Sequence, residues 1–307
     1  MKNPKKIIII DSNSIIHRAF HALPPLTTKD GELVNVVYGF FSAFLKAVQD
    51  FNPDFIATCF DLPFPTFRHK KFKEYKAKRP PTPKELYQQI PIVKIFLKAL
   101  KVPVFEKKGF EADDLIGTIS DLSQKTDPTM NIVVLSGDLD LLQLVNKNVK
   151  VYLLRKGPKN SFLYDQELVK KKYLGLSSDQ LVDFRALRGD PSDNIPGVSG
   201  IGEKTAISLL NQFQNIENLY DCLEKSKKNN ISEAIKEKLI QQKEKAFLSQ
   251  YLSRINREVP IKINYKDLEW GSCNEKDFID YLEKLGFKSL VKRFQKIQAK
   301  NKLLKLW

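Results

Sequence analysis

Carboxylates stand at the ends of three apolar runs in this sequence. Residues 7–10 lead into Asp11, residues 55–60 into Asp61, and residues 133–137 into Asp138 and Asp140. The carboxyl ends of parallel strands line one edge of a sheet, where ligands bind, so three strands would deliver acids to one crevice. Glu111, Asp113 and Asp114 follow at a helix start, then Asp190 and Asp193. The pairs Glu111/Asp114 and Asp190/Asp193 have i, i+3 spacing, which puts both members on one helix face. A single aspartate after a strand is ordinarily a turn former or helix N-cap. Nine acids so placed are another matter. Crowded carboxylates repel and take up protons unless cations neutralise them. An all-oxygen set without His or Cys suits Mg²⁺ or Mn²⁺ rather than zinc. Two such ions can activate water and stabilise both oxygens of an in-line phosphodiester displacement.

Other chemistries fit poorly. Ile10-Asp11-Ser12-Asn13-Ser14 has no glycine after the first strand, so it is no dinucleotide loop. The run from Gly197 to Thr205 resembles a phosphate loop, but Glu203 occupies the place of the required lysine. Ile201 rules out a Gly-x-Ser-x-Gly nucleophile elbow there. His17 and His21 share a helix face but lack the intervening Glu of a zinc-protease helix. They read as structural or substrate-facing.

Charge points to a polyanionic partner. The 307 residues carry 51 Lys/Arg against 36 Asp/Glu, a net charge of +15. Setting the nine acids aside leaves 51 against 27, so a surplus of +24 surrounds the acidic group. Residues 68–79 hold seven Lys/Arg and one acid, with Phe67, Phe72 and Tyr75 interleaved. Such a run can be a solvated helix, but aromatics among cations favour a nucleic-acid surface, where bases stack and phosphates pair. Arg68, Lys70 and Lys71 are its candidate DNA contacts. The glycines Gly197, Gly200 and Gly202 with Lys204 also read as a helix–hairpin–helix turn, whose backbone N–H groups approach a DNA phosphate.

The elements needed to hold these residues follow from periodicity. Strands are predicted at 6–10, 55–60, 102–105 and 131–136, alternating with helices at 14–22, 38–51, 86–100 and 112–122. That is an α/β pattern with a mostly parallel central sheet. From about Leu176 helices and Gly-rich turns take over, with helices at 204–213, 216–224, 231–249 and 278–294. A late strand is expected at 259–265, a polar spacer at 225–230 and a basic tail to Trp307. The expected organisation is an α/β core at 1–175 that includes a basic segment at 64–90, a helix–hairpin–helix subdomain at 176–258, and a C-terminal strand, helix and tail at 259–307. Cys59, Cys222 and Cys273 lack metal-type spacing and read as reduced thiols of a cytoplasmic protein. No apolar run approaches the ~20 residues of a membrane span.

The motifs taken together resemble a known family. Ile10-Asp11-Ser12-Asn13 with Arg18 beyond it, Phe60-Asp61, Phe67-Arg68-His69 and Tyr75-Lys76-Ala77-Lys78-Arg79-Pro80 come first. Gly109-Phe110-Glu111-Ala112-Asp113-Asp114-Leu115, Ser136-Gly137-Asp138-Leu139-Asp140-Leu141, and the run from Leu187 through Asp190 and Asp193 to Val198 follow in order. Over nearly its whole length the chain resembles the 5′→3′ exonuclease (flap endonuclease) domain of bacterial DNA polymerase I. The resemblance implies a metal–carboxylate site beneath a helical arch, and a helix–three-turn–helix that grips duplex DNA. Asp11, Asp61, Glu111 and Asp113 are implied as one metal group. Asp138, Asp140 and Asp193 are implied as a second, with Asp114 and Asp190 in support. Arg18, Lys76 and Arg79 would steer phosphate near the scissile bond, and Tyr75 would stack on a base. The hairpin would bind duplex and a monovalent cation such as K⁺. A monomer acting on 5′ flaps, nicks or recessed 5′ ends is expected, stand-alone or part of a polypeptide with a polymerase. An RNase with a similar acidic edge leaves the hairpin and basic segment without purpose. A non-catalytic DNA-binding protein leaves the acids without one.

Overall fold

Four consecutive isoleucines build the centre of the sheet. Ile7 and Ile9 pack into one core and Ile8 and Ile10 into another, because successive strand side chains point to opposite faces. A strand buried on both faces reads as an unbroken apolar run. The computed structural model describes residues 4–154, 161–225 and 230–304. Most of the expected spacer at 225–230, and the tail from residue 305 to Trp307, lie outside the described residues.

The strands are β1 (Lys6–Asp11), β2 (Phe55–Cys59), β3 (Val104–Phe105), β4 (Asn131–Ser136), β5 (Val149–Leu153) and β6 (Phe162–Tyr164). Their order is β3-β2-β1-β4-β5-β6, parallel except for β6. The chain runs outward from β1 through β2 to β3, then returns to lay β4 on the other side of β1. The order therefore reverses between β1 and β4, and an open sheet has its natural crevice there, at the carboxyl ends.

Between β1 and β2 lie α1 (Ser12–Ala22) and α2 (Asn35–Phe51). α3 (Phe67–Lys71), α4 (Lys84–Tyr87) and α5 (Ile90–Ala99) precede β3, and α6 (Ala112–Thr126) precedes β4. After β6 come α7 (Gln166–Lys172), α8 (Leu181–Arg188), α9 (Glu203–Phe213), α10 (Ile216–Glu224), α11 (Glu233–Gln241) and α12 (Lys243–Ser253). The chain closes with α13 (Tyr265–Leu268), α14 (Glu275–Lys284) and α15 (Lys288–Leu304). One face of the sheet packs a phenylalanine-rich core from α2, α5, α14 and α15, including Phe40, Phe41, Phe96, Phe278 and Phe294. Each such buried ring contributes roughly 1.5–3 kcal/mol. The other face packs Leu115, Ile116 and Ile119 of α6 with Ile255 and Val259. A third core joins α8 to α12.

Three expectations change. The segment at 259–265 is not a strand: Pro260 lacks an N–H, Val259 N donates to Thr118 Oγ1 at 3.0 Å, and Ile261 and Ile263 pack on the α6 face. The helices expected at 231–249 and 278–294 are each two, broken at Gln242 and around Gly286. The helical arch expected at 64–90 is made of the short helices α3 and α4 joined by turns. α3 stops at Phe72, successive turns follow through Arg79, and Lys76 takes a left-handed φ of 57°. The segment thereby lies down on the carboxyl edge of the sheet. β5, β6, α7 and α8 were not anticipated.

Candidate active site

The tips of β1 and β4 are stitched together by two serines. Asp11 ends β1 and caps α1, accepting from Ser14 N at 3.1 Å. Its Oδ2 accepts from the Ser136 hydroxyl at 2.5 Å, and Ser136 Oγ in turn accepts from Asp138 N at 2.9 Å. Gly137 N donates to Ser14 Oγ at 2.8 Å. At the tip of β2, Asp61 Oδ1 accepts from Ala112 N at 2.7 Å and its own N–H donates to Asn13 at 3.0 Å. The N-cap reading of Asp11 is thus correct without excluding a second role.

Seven of the nine acids line one cavity of about 360 Å³: Asp11, Asp61, Glu111, Asp113, Asp138, Asp140 and Asp193. Burial, with repulsion from Asp138, pushes the Asp11 carboxyl up to about 6, against the hydrogen bonds from Ser136 and Ser14. Burial and then neighbouring acids push Asp113 and Asp140 well above the usual carboxylate range. Asp61 is raised too, by desolvation within the cleft although the residue as a whole stays exposed. Glu111 differs: despite its burial, Lys76 and Arg68 hold it below its ordinary value. Hard oxygen donors that resist ionising together fit divalent cations. Among the described residues no three acids stand close enough to form a closed metal cage, and three of them are held by cations. Lys76 Nζ is 3.0 Å from Glu111, Arg79 pairs with Asp193, and Arg185 pairs with Asp140.

Asp114 and Asp190, expected in the metal group, stand outside the cavity. Asp114 is fully buried and saturated by Arg68 (2.8 and 2.7 Å), Glu111 N (3.0 Å) and Asn256 N (2.8 Å). Asp190 is taken up by Arg185 and by Ser192 N at 2.9 Å and Ser192 Oγ at 2.6 Å. The i, i+3 argument fails because neither pair lies within a helix. Glu111 is the extended N-cap of α6, in a reciprocal capping box with Asp114. Asp190 and Asp193 sit on a turn closed by the Asp190–Ile195 bridge.

Two expected DNA contacts are interior residues. Arg68 is 3% exposed, with its remaining donors on Leu252 O and Arg254 O at 2.9 Å each. Tyr75, the expected base-stacking residue, is also 3% exposed. Its ring meets His69 edge-on at 5.1 Å, and its hydroxyl donates to Glu111 at 3.1 Å and Asp193 at 3.3 Å. Burial and Glu111 push the Tyr75 phenol far above its usual range, so it stays a donor.

Residues 6–174 match the family model described as 5′-3′ exonuclease, N-terminal resolvase-like domain. The chain belongs to the 5′-3′ exonuclease family. Residues 176–276 match that family's C-terminal SAM fold. DNA polymerase I of Bacillus subtilis is 40% identical over 95% of this chain and 32% of its own length. The thermostable DNA polymerase I of Thermus thermophilus is 37% identical over 96% of this chain and 34% of its own. The chain thus spans about a third of the length of these relatives. T5 5′-exonuclease with divalent zinc ions bound has the same fold, with a TM-score of 0.68, 18% identity, and 96% and 99% of the two chains covered. Flap endonuclease-1 from Methanococcus jannaschii superimposes with a TM-score of 0.57 at 19% identity, covering 97% and 92%.

In this member of the 5′-3′ exonuclease family, His17 lines the acidic cavity, and Arg18, expected near the scissile bond, does not. Arg18 instead lines a separate cavity with Tyr38, Lys46 and Arg293. Lys70 and Lys71 are exposed on α3. In the hairpin, Gly197 has φ +62° and a Cβ there would lie 2.3 Å from Gly189 N, so this glycine serves backbone packing. Gly200 has φ +85° beneath the Lys238 side chain. Gly202 is extended and open, with nothing within 4 Å of a Cβ, and it precedes Lys204 in the first turn of α9. Sequence reasoning missed Arg185, Ser14, Ser136 and Asn13. A search for cations able to balance buried acids would have raised Arg185, five residues before Asp190.

Proposed function

We propose that the chain hydrolyses DNA phosphodiesters at 5′ flaps, nicks and recessed 5′ ends, as a divalent-cation-dependent flap endonuclease and 5′→3′ exonuclease. The observation that carries this reading is the single cavity where seven acids meet under Lys76 and Arg79. Asp11, Asp61, Glu111 and Asp113 would hold one cation, and Asp138, Asp140 and Asp193 a second. Mg²⁺ is the proposed ion, with Mn²⁺ as a substitute. When bound, such ions supply hydroxide at neutral pH and stabilise the leaving 3′ oxygen. The protein's own part is to place the strand. Lys76 and Arg79 would exchange their carboxylate partners for the scissile phosphate. Their fixed cationic donors then oppose the charge that develops in displacement. Tyr75 keeps Glu111 and Asp193 oriented from above.

Arg18, Lys70 and Lys71 would follow the strand backbone. Gly200, Gly202 and Lys204 would meet duplex phosphates, with K⁺ at the turn. The proposed organisation is the core at 1–175, the duplex-binding part at 176–258 and the C-terminal part at 259–307. A monomer in cytoplasmic primer removal and repair is proposed, and the relatives that are DNA polymerases support its working with, or being fused to, a polymerase. No described helix is long and apolar enough to cross a membrane. The test is a 5′-flap duplex labelled at either end, with and without Mg²⁺. Short and long labelled products separate exonuclease from endonuclease, and binding without cleavage overturns the hydrolase.

A further inference from the structure

Arg185 stands between two carboxylates of unequal circumstance. Its Nη2 donates to Asp140 Oδ1 and its Nη1 to Asp190 Oδ2. Asp190 has its other oxygen committed to Ser192 and does not face the cavity. Asp140 lines the cavity and gives only Oδ1 to the arginine. The guanidinium is mostly buried, 12% exposed, and cannot discharge by losing a proton. It reaches across from the last turn of α8 to the turn that follows β4.

The same construction stands behind Glu111. Arg68 is held bidentate by Asp114, which is outside the cavity, and turns Nη1 to Glu111 at 3.4 Å. In both places an arginine and an outer acid make a neutral pair, and the pair grips one inner acid. A neutral pair can fix a carboxylate's direction without cancelling the negative charge that a cation needs. A lone arginine would do both.

We propose that Arg185, balanced by Asp190, is a positioning residue that aims the Asp140 carboxylate at a divalent cation. The inference rests on the metal-dependent reading of the cavity. It assigns Asp190 to the arginine rather than to the metal. Two rival accounts predict different outcomes. If Arg185 acts as a competing charge, removing it strengthens cation binding. If it is only a structural tie, removing it lowers the melting temperature and leaves cation binding alone.

The decisive variant is Arg185→Met combined with Asp190→Asn, which removes one charge of each sign and leaves the net charge unchanged. Mn²⁺ is titrated calorimetrically into the full chain without DNA, and flap cleavage is followed in single turnover across Mg²⁺ concentrations. We expect Mn²⁺ affinity to fall about 10–100-fold, the usual scale for losing the partner of a metal ligand. The Mg²⁺ needed for half-maximal rate should rise in step, with the rate at saturating Mg²⁺ recovering to within several-fold. Arg185→Lys, which keeps the charge and one donor, should fall between. It also carries the test if the double variant does not fold. Unchanged or tighter Mn²⁺ binding in the double variant, or in Arg185→Lys if only that variant folds, overturns the proposal, whatever the melting temperature does. If the wild-type chain cleaves no flap, the functional reading fails while the Mn²⁺ titration still decides the role of Arg185.

Discussion

Lys76 Nζ lies 3.0 Å from Glu111 Oε2 and 3.8 Å from Asp193 Oδ2, so one ammonium spans two acids of the cavity. Its backbone N–H also donates to Asp193 O at 2.9 Å, which fixes the left-handed turn that aims the side chain. Lys76→Ala and Arg79→Ala should each slow single-turnover flap cleavage by ~10²-fold or more, the scale of lost transition-state charge stabilisation. DNA affinity should fall much less, because many other cations share it. Unchanged rates at saturating enzyme would leave both as surface charges.

Asp138 offers the converse separation. It lines the cavity and pushes up Asp11. Asp138→Ala should abolish measurable cleavage while flap binding stays within several-fold of wild type, or tightens, since a negative charge has gone. Wild-type turnover in a gel assay would remove Asp138 from the reaction.

The strand-end acids were legible because one rule, that parallel strands present their carboxyl ends at one edge, needs only the strands. Asp11, Asp61 and Asp138 are where that rule put them. The i, i+3 pairs misled because spacing cannot tell a helix interior from an N-cap or a turn, and Glu111 and Asp190 occupy those. Arg68 and Tyr75 misled for a related reason. In a basic run of residues 68–79, sequence gives no sign of which side chains turn inward, and these two were claimed by buried carboxylates. The strand expected at 259–265 had the right alternation, but a helix face can satisfy alternation as well as a strand does.

The inward position of Arg68 makes it a stability residue. Arg68→Met leaves Asp114 buried without its cation, and breaking such a pair typically costs about 3–5 kcal/mol. A chemical-denaturation midpoint should fall accordingly. DNA affinity of the folded fraction should be near wild type. A normal midpoint with weakened DNA binding would restore the surface role.

Asp183 sets a pH dependence away from the reaction. Burial, with Glu217 adding to it, pushes its carboxyl up to about 6, against a 2.7 Å hydrogen bond from Gln250. The folded state therefore holds this proton more tightly than the unfolded state. The sign follows: the cost is absent below pH ~4, grows as pH rises, and is complete above about 6. Asp183→Asn should be more stable than wild type at pH 7 by up to about 3 kcal/mol. The gap should close by pH ~4. Thermal melting at both pH values checks it, and a gap that widens on acidification would contradict the assignment.

Two glycines of one hairpin should behave oppositely. Gly197 has φ +62°, and any Cβ would lie 2.3 Å from Gly189 N and 2.7 Å from Gly189 Cα. Those are backbone atoms that cannot swing away, so Gly197→Ala should disrupt the turn and lower the melting temperature. Gly202 is extended at φ −90° with open space where a side chain would go. A valine is tolerated there by the backbone, and circular dichroism of Gly202→Val should match wild type. The same open space is where a DNA phosphate would approach the N–H groups that begin α9, and a branched side chain would stand in its way. Gly202→Val should therefore weaken duplex binding and raise the substrate concentration for half-maximal rate. The rate at saturation should be largely kept, because the acids lie on other elements. Binding of single strands should change little. Should folded Gly202→Val bind duplex as tightly as wild type, the hairpin is a connector and the duplex is held elsewhere.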